Sequence, residues 1–200
     1  MMQVYITGAH NTGKTTLALI LSKELGLTYS RELARDTLIS LRKSWPGDVS
    51  SFGPDCMGAL EYLMFESMLF CWFASLKNRV GFVSDRCVFD VIAYTERFMK
   101  CYTDELRVGD LVEPYERIHS FMKMFQHVDT REDTVYIYAR PVGIVDSASR
   151  DIDEIVGSHI SSLQKICPNI KVIEYTRKDT FEDTEKWIRS TFIPLVESIS

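Results

Sequence analysis

The octapeptide GAHNTGKT, Gly8 to Thr15, constrains the fold more than any other part of the sequence. It fits the pattern G-x-x-x-x-G-K-[ST], in which backbone N–H groups surround the oxygens of a bound phosphate. The apolar run Val4–Thr7 precedes it, and apolar residues with helical spacing follow from Lys14 to Leu25. A phosphate-binding loop between a strand and a helix predicts the first crossover of a parallel α/β sheet.

Four more short apolar segments follow the first, and helical patterns separate them. These predicted strands comprise residues 27–30, 80–84, 134–139 and 171–175. Regular alternation of strand and helix predicts a three-layer α/β fold, a five-stranded parallel sheet with helices on both faces. Ligands of such sheets bind beyond the carboxyl ends of the strands. With no repeat or linker in its 200 residues, the chain is interpreted as one domain, 1–200.

Composition narrows the class of protein and of partner. The net charge of −5 does not favour a polyanion partner, and five cysteines without CxxC spacing indicate a reducing compartment. The longest apolar run contains Glu66 and is too short to span a bilayer. A strand from residue 3 leaves no room for a leader peptide. We therefore expect a soluble cytoplasmic protein without a membrane partner; a homodimer is left open.

The loop itself provides the candidate nucleotide-binding residues. Lys14 can reach the β- and γ-phosphates, and Thr15 can offer its hydroxyl to Mg²⁺. Asn11 occupies a position that is often glycine in nucleotide kinases, but asparagine tolerates the left-handed backbone region. His10 is interpreted as an exposed loop residue in preference to a phosphate ligand. The full candidate set is Gly8, His10, Asn11, Thr12, Gly13, Lys14, Thr15 and Thr16.

Asp85 and Arg86 follow the third predicted strand. A carboxylate at this strand end can hold Mg²⁺ directly or through water. Hydrolytic ATPases of the AAA type usually have a glutamate after that aspartate to orient water, whereas this chain has Arg86, a cation suited to phosphate. The alternative is a surface Asp–Arg pair that caps the next helix. Asp90 is interpreted as a structural helix residue.

Glu32 and Arg35 follow the second predicted strand. Residues three apart share one face of a helix, and this helix would begin in the crevice. The Glu32 carboxylate can accept a proton from an attacking hydroxyl or anchor a sugar hydroxyl, and Arg35 can hold an anionic group of the acceptor. The alternative is an acidic first helical turn with an intrahelical ion pair.

Arg140 and Arg150 bracket the segment after the fourth predicted strand. A loop with arginines at both ends can close over phosphates and exclude water, which predicts a lid over about residues 140–150. The alternative is an ordinary connection in which Ser149 or Asp151 caps a helix over 151–167. Neither D-x-x-G nor N-K-x-D occurs in its expected place, and T-R-K-D at 176–179 only resembles the latter. A GTPase switch is therefore not favoured.

Together, the loop, the E-x-x-R of Glu32 and Arg35, the Asp85-Arg86 pair and the arginine-bearing lid resemble the P-loop nucleoside and nucleotide kinases. Thymidylate kinases, deoxynucleoside kinases and nicotinamide riboside kinases share this layout, over nearly the whole chain. The resemblance implies a sheet of order 2-3-1-4-5, and Glu32 matches the base of deoxynucleoside kinases. Asp85-Arg86 is similar to the "DR" pair of thymidylate kinases, although Cys87 departs from the residue often found next.

The predicted activity is Mg-ATP-dependent transfer of the γ-phosphoryl group to a nucleoside, a nucleotide or a related small metabolite, with ATP and Mg²⁺ as cofactors. One alternative is a kinase of a hydroxyl on a base in DNA, as in some phage-type P-loop kinases; another is a regulatory ATPase without an acceptor. Thr15 and Asp85 are the predicted metal ligands, and Glu32, Arg35 and Arg86 the predicted acceptor contacts. The predicted catalytic residues are Lys14, Glu32, Asp85, Arg86, Arg140 and Arg150.

Overall fold

The computed structural model describes residues 2–30, 81–102, 116, 120, 134–143 and 146–197. Five parallel strands form one sheet in the order β2-β3-β1-β4-β5. This confirms the predicted fold class and strand order. The strands are β1 Gln3–Thr7, β2 Thr28–Ser30, β3 Phe82–Ser84, β4 Thr134–Arg140 and β5 Lys171–Thr176. The helices are α1 Lys14–Leu25, α2 Val88–Tyr102, α3 Ser147–Ile166, α4 Phe181–Trp187 and α5 Ile193–Glu197.

The central strand β1 distributes its side chains between two apolar layers. Val4 and Ile6 point to one face, where they join α1 and the C-terminal helices in a buried cluster. Tyr5 points to the other face, into a cluster formed with α2 and α3. This division follows from the two-residue period of a strand. Because both faces are covered, β1 is buried along its whole length, and polar groups can meet only at its ends.

Helix α3 begins four residues earlier than the sequence predicts. Asp146 is its N-cap: its carboxylate accepts a hydrogen bond from the Ser149 backbone N–H at 2.7 Å and another from the Ser149 hydroxyl at 3.0 Å. The prediction of Ser149 or Asp151 as the cap is therefore wrong. Since the helix starts at Ser147, Arg150 lies in its first turn, and the connection from β4 is shorter than expected.

The C-terminal helical segment contains a π-helical turn, Ile188–Phe192, between α4 and α5. The sequence predicts one uninterrupted helix over residues 180–198. Pro194 has no backbone N–H to donate to the preceding turn, and a π-helical turn is one way in which a helix accommodates such a loss. Each helix in the described part of the chain is too short or too polar to traverse a bilayer.

The order of the strands determines which loops lie together. β1 is paired with β3 on one side and with β4 on the other, so their carboxyl ends share one edge of the sheet. The residues that follow β1 are the phosphate-binding loop, and those that follow β3 include Asp85 and Arg86. The candidate site is therefore built at this edge, as expected for a parallel sheet.

Candidate active site

Glycine is required at the start of the phosphate-binding loop. Gly8 has φ of 135°, and a Cβ atom added there would collide with the backbone carbonyl of Ala139 at the end of β4. Gly13, with φ of 83°, is the N-cap of α1. Asn11 adopts a left-handed conformation with φ of 59°, which its residue type tolerates. The loop therefore turns tightly against the sheet edge and leads directly into α1.

Lys14 lies within the loop and is buried. Its amino group donates hydrogen bonds to the carbonyl oxygens of Gly8, at 2.7 Å, and of Ala9. The Thr12 hydroxyl lies 3.3 Å from the same amino group and itself donates to the Ala9 carbonyl at 3.0 Å. The loop thus holds one positive charge close to its own backbone, where phosphate oxygens of a nucleotide would be bound.

Asp85 is brought into direct contact with Thr15. The Thr15 hydroxyl donates to Asp85 Oδ2 at 2.9 Å, and the carboxylate is buried. Hydroxyl and carboxylate oxygens are the ligands that Mg²⁺ prefers, and the ion takes only one or two carboxylates beside substrate phosphates and water. No group of three or more His, Cys, Asp or Glu residues suited to a metal occurs within the described ranges. The two residues fit a nucleotide-associated Mg²⁺.

Asp90 connects the start of α2 to the phosphate-binding loop, and the sequence indicates only the first of these contacts. Its Oδ1 accepts hydrogen bonds from the Gly8 N–H at 3.2 Å and from Arg86 Nη1 at 3.3 Å. Its Oδ2 accepts the N–H of Cys87 at 2.8 Å. The contact with Cys87 is the one expected of an acidic residue in a first helical turn, and this is a signal in the sequence. The contact with Gly8 depends on the β1–β3 pairing.

Arg86 is held on the inside of the site. Its guanidinium forms an ion pair with Asp90, and it lies 5.0 Å from the centroid of the Tyr94 ring. Both Asp85 and Arg86 are buried. The alternative of a surface Asp–Arg pair is therefore wrong. Through Asp90, the cation is connected to the first residue of the phosphate-binding loop.

His10 belongs to the same group of side chains. The residue is exposed, but its ring packs edge-on against Tyr94 with 4.9 Å between centroids. Desolvation of the ring, followed by the positive charges of Arg86 and Lys14, lowers the pKa of His10 to about 4. The imidazole is therefore neutral near pH 7, where it can accept or donate a hydrogen bond without adding charge.

The two predicted lid arginines have different surroundings. Arg140, at the end of β4, lies 4.9 Å from the Tyr138 ring centroid and forms ion pairs with Asp153 at 3.8 Å and Glu174 at 3.7 Å. These contacts direct it towards α3 and β5. Arg150 is exposed on the first turn of α3. Glu32 and Arg35 lie outside the described residues.

Arg177 contacts the phosphate-binding loop, and the sequence interpretation did not include it. It follows β5, and its Nη1 donates to the Asn11 carbonyl oxygen at 3.2 Å. Its aliphatic stem also lies against Gly13, because a Cβ atom placed on Gly13 would be 3.2 Å from Arg177 Cγ. Arg177 is the second residue of the T-R-K-D segment. Its position at a strand end was the available signal.

Solved structures with this fold include three that cover nearly all of this chain. NadR in complex with NAD and AMP-PNP is 13% identical, with a TM-score of 0.56 over 94% of this chain and 48% of that one. Thymidylate kinase from Ehrlichia chaffeensis is 16% identical, with a TM-score of 0.52 over 96% of this chain and 98% of that one. Deoxyadenosine kinase from M. mycoides with bound dATP is 13% identical, with a TM-score of 0.54 over 96% of this chain and 100% of that one.

These similarities confirm the expected resemblance to P-loop nucleoside and nucleotide kinases at the level of the fold. The chain spans about half the length of the NadR chain. A comparison with curated protein sequences gives no significant match. The sequence profile of the AAA domain matches residues 3–135, which include the phosphate-binding loop, Asp85, Arg86 and Asp90. Because the match covers more than half of the chain, the protein belongs to the AAA domain family.

Proposed function

We propose that the protein is a Mg-ATP-dependent phosphotransferase, which moves the γ-phosphoryl group to a nucleoside, a nucleotide or a related small metabolite. The observation that carries the proposal is the buried Arg86, held by Asp90 beside the phosphate-binding loop. A fixed cation next to the metal carboxylate suits stabilisation of charge on a phosphoryl group. The similar solved structures, two of which are described as kinases, support this reading.

Membership of the AAA domain family favours a second candidate, an ATPase without an acceptor. Hydrolysis needs a group that orients a water molecule, and AAA-type ATPases usually place a glutamate directly after the metal carboxylate. Position 86 is arginine, which cannot accept a proton. Among the described residues, Asp90 is a further carboxylate at the site, and it already accepts hydrogen bonds from three donors. Phosphoryl transfer is therefore the better reading of these side chains.

Phosphoryl transfer is mostly positioning and electrostatic stabilisation. In this proposal Lys14 binds the β- and γ-phosphates, and Thr15 and Asp85 hold Mg²⁺, which neutralises charge on the phosphates. Arg86 stabilises the transferred group, with Arg140 and Arg150 added by a lid over about residues 140–150 of one domain, 1–200. The ion pairs of Arg140 are partly exposed, and exposed pairs contribute about 0–1 kcal/mol, so their release costs little.

The acceptor end of the proposal rests on Glu32 and Arg35. If the acceptor is a hydroxyl, Glu32 accepts its proton; if it is a phosphate, no base is needed and Glu32 binds the sugar. Arg35 then holds an anionic group of the acceptor. A cytoplasmic location and a homodimer stay predictions from the sequence.

The test is a transfer assay with γ-labelled ATP, in which nucleosides, nucleoside monophosphates and DNA are compared side by side. We expect label on a small acceptor and none with Lys14→Ala, since that variant lacks the charge at the loop. Label on DNA, with binding that weakens steeply as salt rises, would support the DNA kinase instead. Release of labelled phosphate that no acceptor changes would establish the ATPase and refute the proposal.

A further inference from the structure

Tyr29 contacts the predicted metal carboxylate from the neighbouring strand. It lies in the middle of β2, in register with Val83 of β3. Its hydroxyl donates to Asp85 Oδ2 at 2.8 Å, and the Thr15 hydroxyl donates to the same oxygen at 2.9 Å. The carboxylate therefore accepts hydrogen bonds from hydroxyls on both β2 and the start of α1.

The kind of donor matters as much as the number. A hydroxyl fixes the rotation of a carboxylate about its Cβ–Cγ bond but adds no charge. Asp90, five residues further on, shows the other case: it accepts from the guanidinium of Arg86, so its negative charge is balanced by a cation. The hydroxyls of Tyr29 and Thr15 orient the Asp85 carboxylate and themselves bring no charge to it.

We propose that Tyr29 is a positioning residue for the metal site: it holds the Asp85 carboxylate in the orientation in which Asp85 and Thr15 bind Mg²⁺ together. The proposal rests on the proposed function, in which those two residues are the metal ligands. Hydrogen-bonding partners of metal ligands typically change metal affinity by about 10- to 100-fold when they are removed. The Tyr29 hydroxyl donates to Asp85, so removal of this one oxygen atom tests the role.

A purely structural role of Tyr29 predicts something different. Its ring is partly buried and packs against the core cluster around α1. Tyr29→Phe keeps that packing and removes only the hydroxyl. If the residue matters only for packing, Tyr29→Phe will behave like the wild type in every assay. If the hydroxyl positions Asp85, the substitution will act on Mg²⁺-dependent binding and spare binding without the metal.

The experiment measures binding of a fluorescent ATP analogue by the full chain, first with EDTA and then over a Mg²⁺ titration. For Tyr29→Phe we expect the Mg²⁺ concentration at half-maximal enhancement to rise about tenfold, and affinity in EDTA to stay within about twofold. The control is Tyr138→Phe, which removes a hydroxyl that bonds Asp153 Oδ1 at 2.8 Å and the Asp153 carbonyl oxygen at 2.9 Å, away from Asp85. We expect it to leave the Mg²⁺ concentration at half-maximal enhancement unchanged.

The outcomes separate this inference from the function on which it rests. Mg²⁺-dependent binding by the wild type with an unchanged titration for Tyr29→Phe overturns the role of Tyr29 and leaves the proposed function standing. Equal losses with and without Mg²⁺, or the same shift in Tyr138→Phe, also overturn it, because they indicate a structural effect. Binding by the wild type that Mg²⁺ does not enhance overturns both.

Discussion

Replacement of Asp90 by asparagine is the sharpest test of how the site is held together. The Asp90 side chain is fully buried and accepts from Gly8, Arg86 and Cys87. In Asp90→Asn one acceptor oxygen becomes an NH₂ group that faces a donor, and the buried Arg86 loses its ion pair with the Asp90 carboxylate. Removal of one partner of a buried ion pair costs about 3–5 kcal/mol. For a domain of this size, 3 kcal/mol corresponds to a fall in Tm of about 6–12 °C.

The assay is thermal and denaturant unfolding of the wild type, Asp90→Asn, Arg86→Met and the double variant. Since part of the cost arises from the lost ion pair between Arg86 and Asp90, we expect the double variant to recover part of the stability that Asp90→Asn loses. Asp151→Asn is the matched control, because Asp151 forms an exposed 3.6 Å ion pair with Arg97 and should cost less than about 1 kcal/mol. A loss below about 1 kcal/mol for Asp90→Asn, or strict additivity in the double variant, would refute the reasoning.

Three further substitutions test separate parts of the site. Gly8→Ala should abolish nucleotide binding and lower Tm well below that of the control Gly26→Ala. Both glycines have positive φ, but of the two only Gly8 faces a backbone carbonyl, that of Ala139. Equal losses of Tm in the two variants would refute the steric clash at Gly8. The pKa of His10 is lowered in the folded protein, so as the pH falls the imidazole is protonated in the unfolded chain before it is protonated in the folded one. The folded state therefore loses stability as the pH falls from 6.5 towards 4. His10→Asn should flatten that decline in Tm, and an unchanged slope would contradict it. Asp85→Asn should raise the Mg²⁺ requirement of nucleotide binding at least tenfold, because the amide is neutral while its oxygen still accepts the two hydroxyls. A loss confined to Tm would exclude a metal role.

The layered fold was predictable because short segments with apolar residues alternate with helical spacing along the chain, and β1 is the clearest example. Its loop motif identifies where the strand ends, and the alternation of elements specifies a parallel sheet. The start of α3 was not predictable to the residue, since Asp146, Ser149 and Asp151 are all good caps and only the backbone conformation selects Asp146. The π-helical turn was also missed, because a single proline in a helical pattern does not specify how the helix adapts.

The site residues that directly follow a strand were predictable, whereas the contacts between side chains from different strands were not. Thr15 and Asp85 follow motifs, and the structure brings them together. The contacts of Tyr29 with Asp85 and of Arg177 with Asn11 join segments 56 and 166 residues apart, and no local pattern encodes either distance. Each follows from the strand order, which sets β2 beside β3 and brings the end of β5 to the loop. Such contacts become predictable only after the topology is known.

The two aspartates that follow β3, Asp85 and Asp90, accept hydrogen bonds from different kinds of donor. Asp90 is inside α2 and meets a guanidinium and two backbone N–H groups, so its charge is used to hold the loop and Arg86 in place. Asp85 lies at the strand end, where the hydroxyls of Thr15 and Tyr29 donate to one of its oxygens. A buried carboxylate is costly unless it is hydrogen-bonded, and both aspartates receive hydrogen bonds. In the proposed function, Asp90 holds the loop and Arg86 in place, and Asp85 is a Mg²⁺ ligand that the two hydroxyls orient.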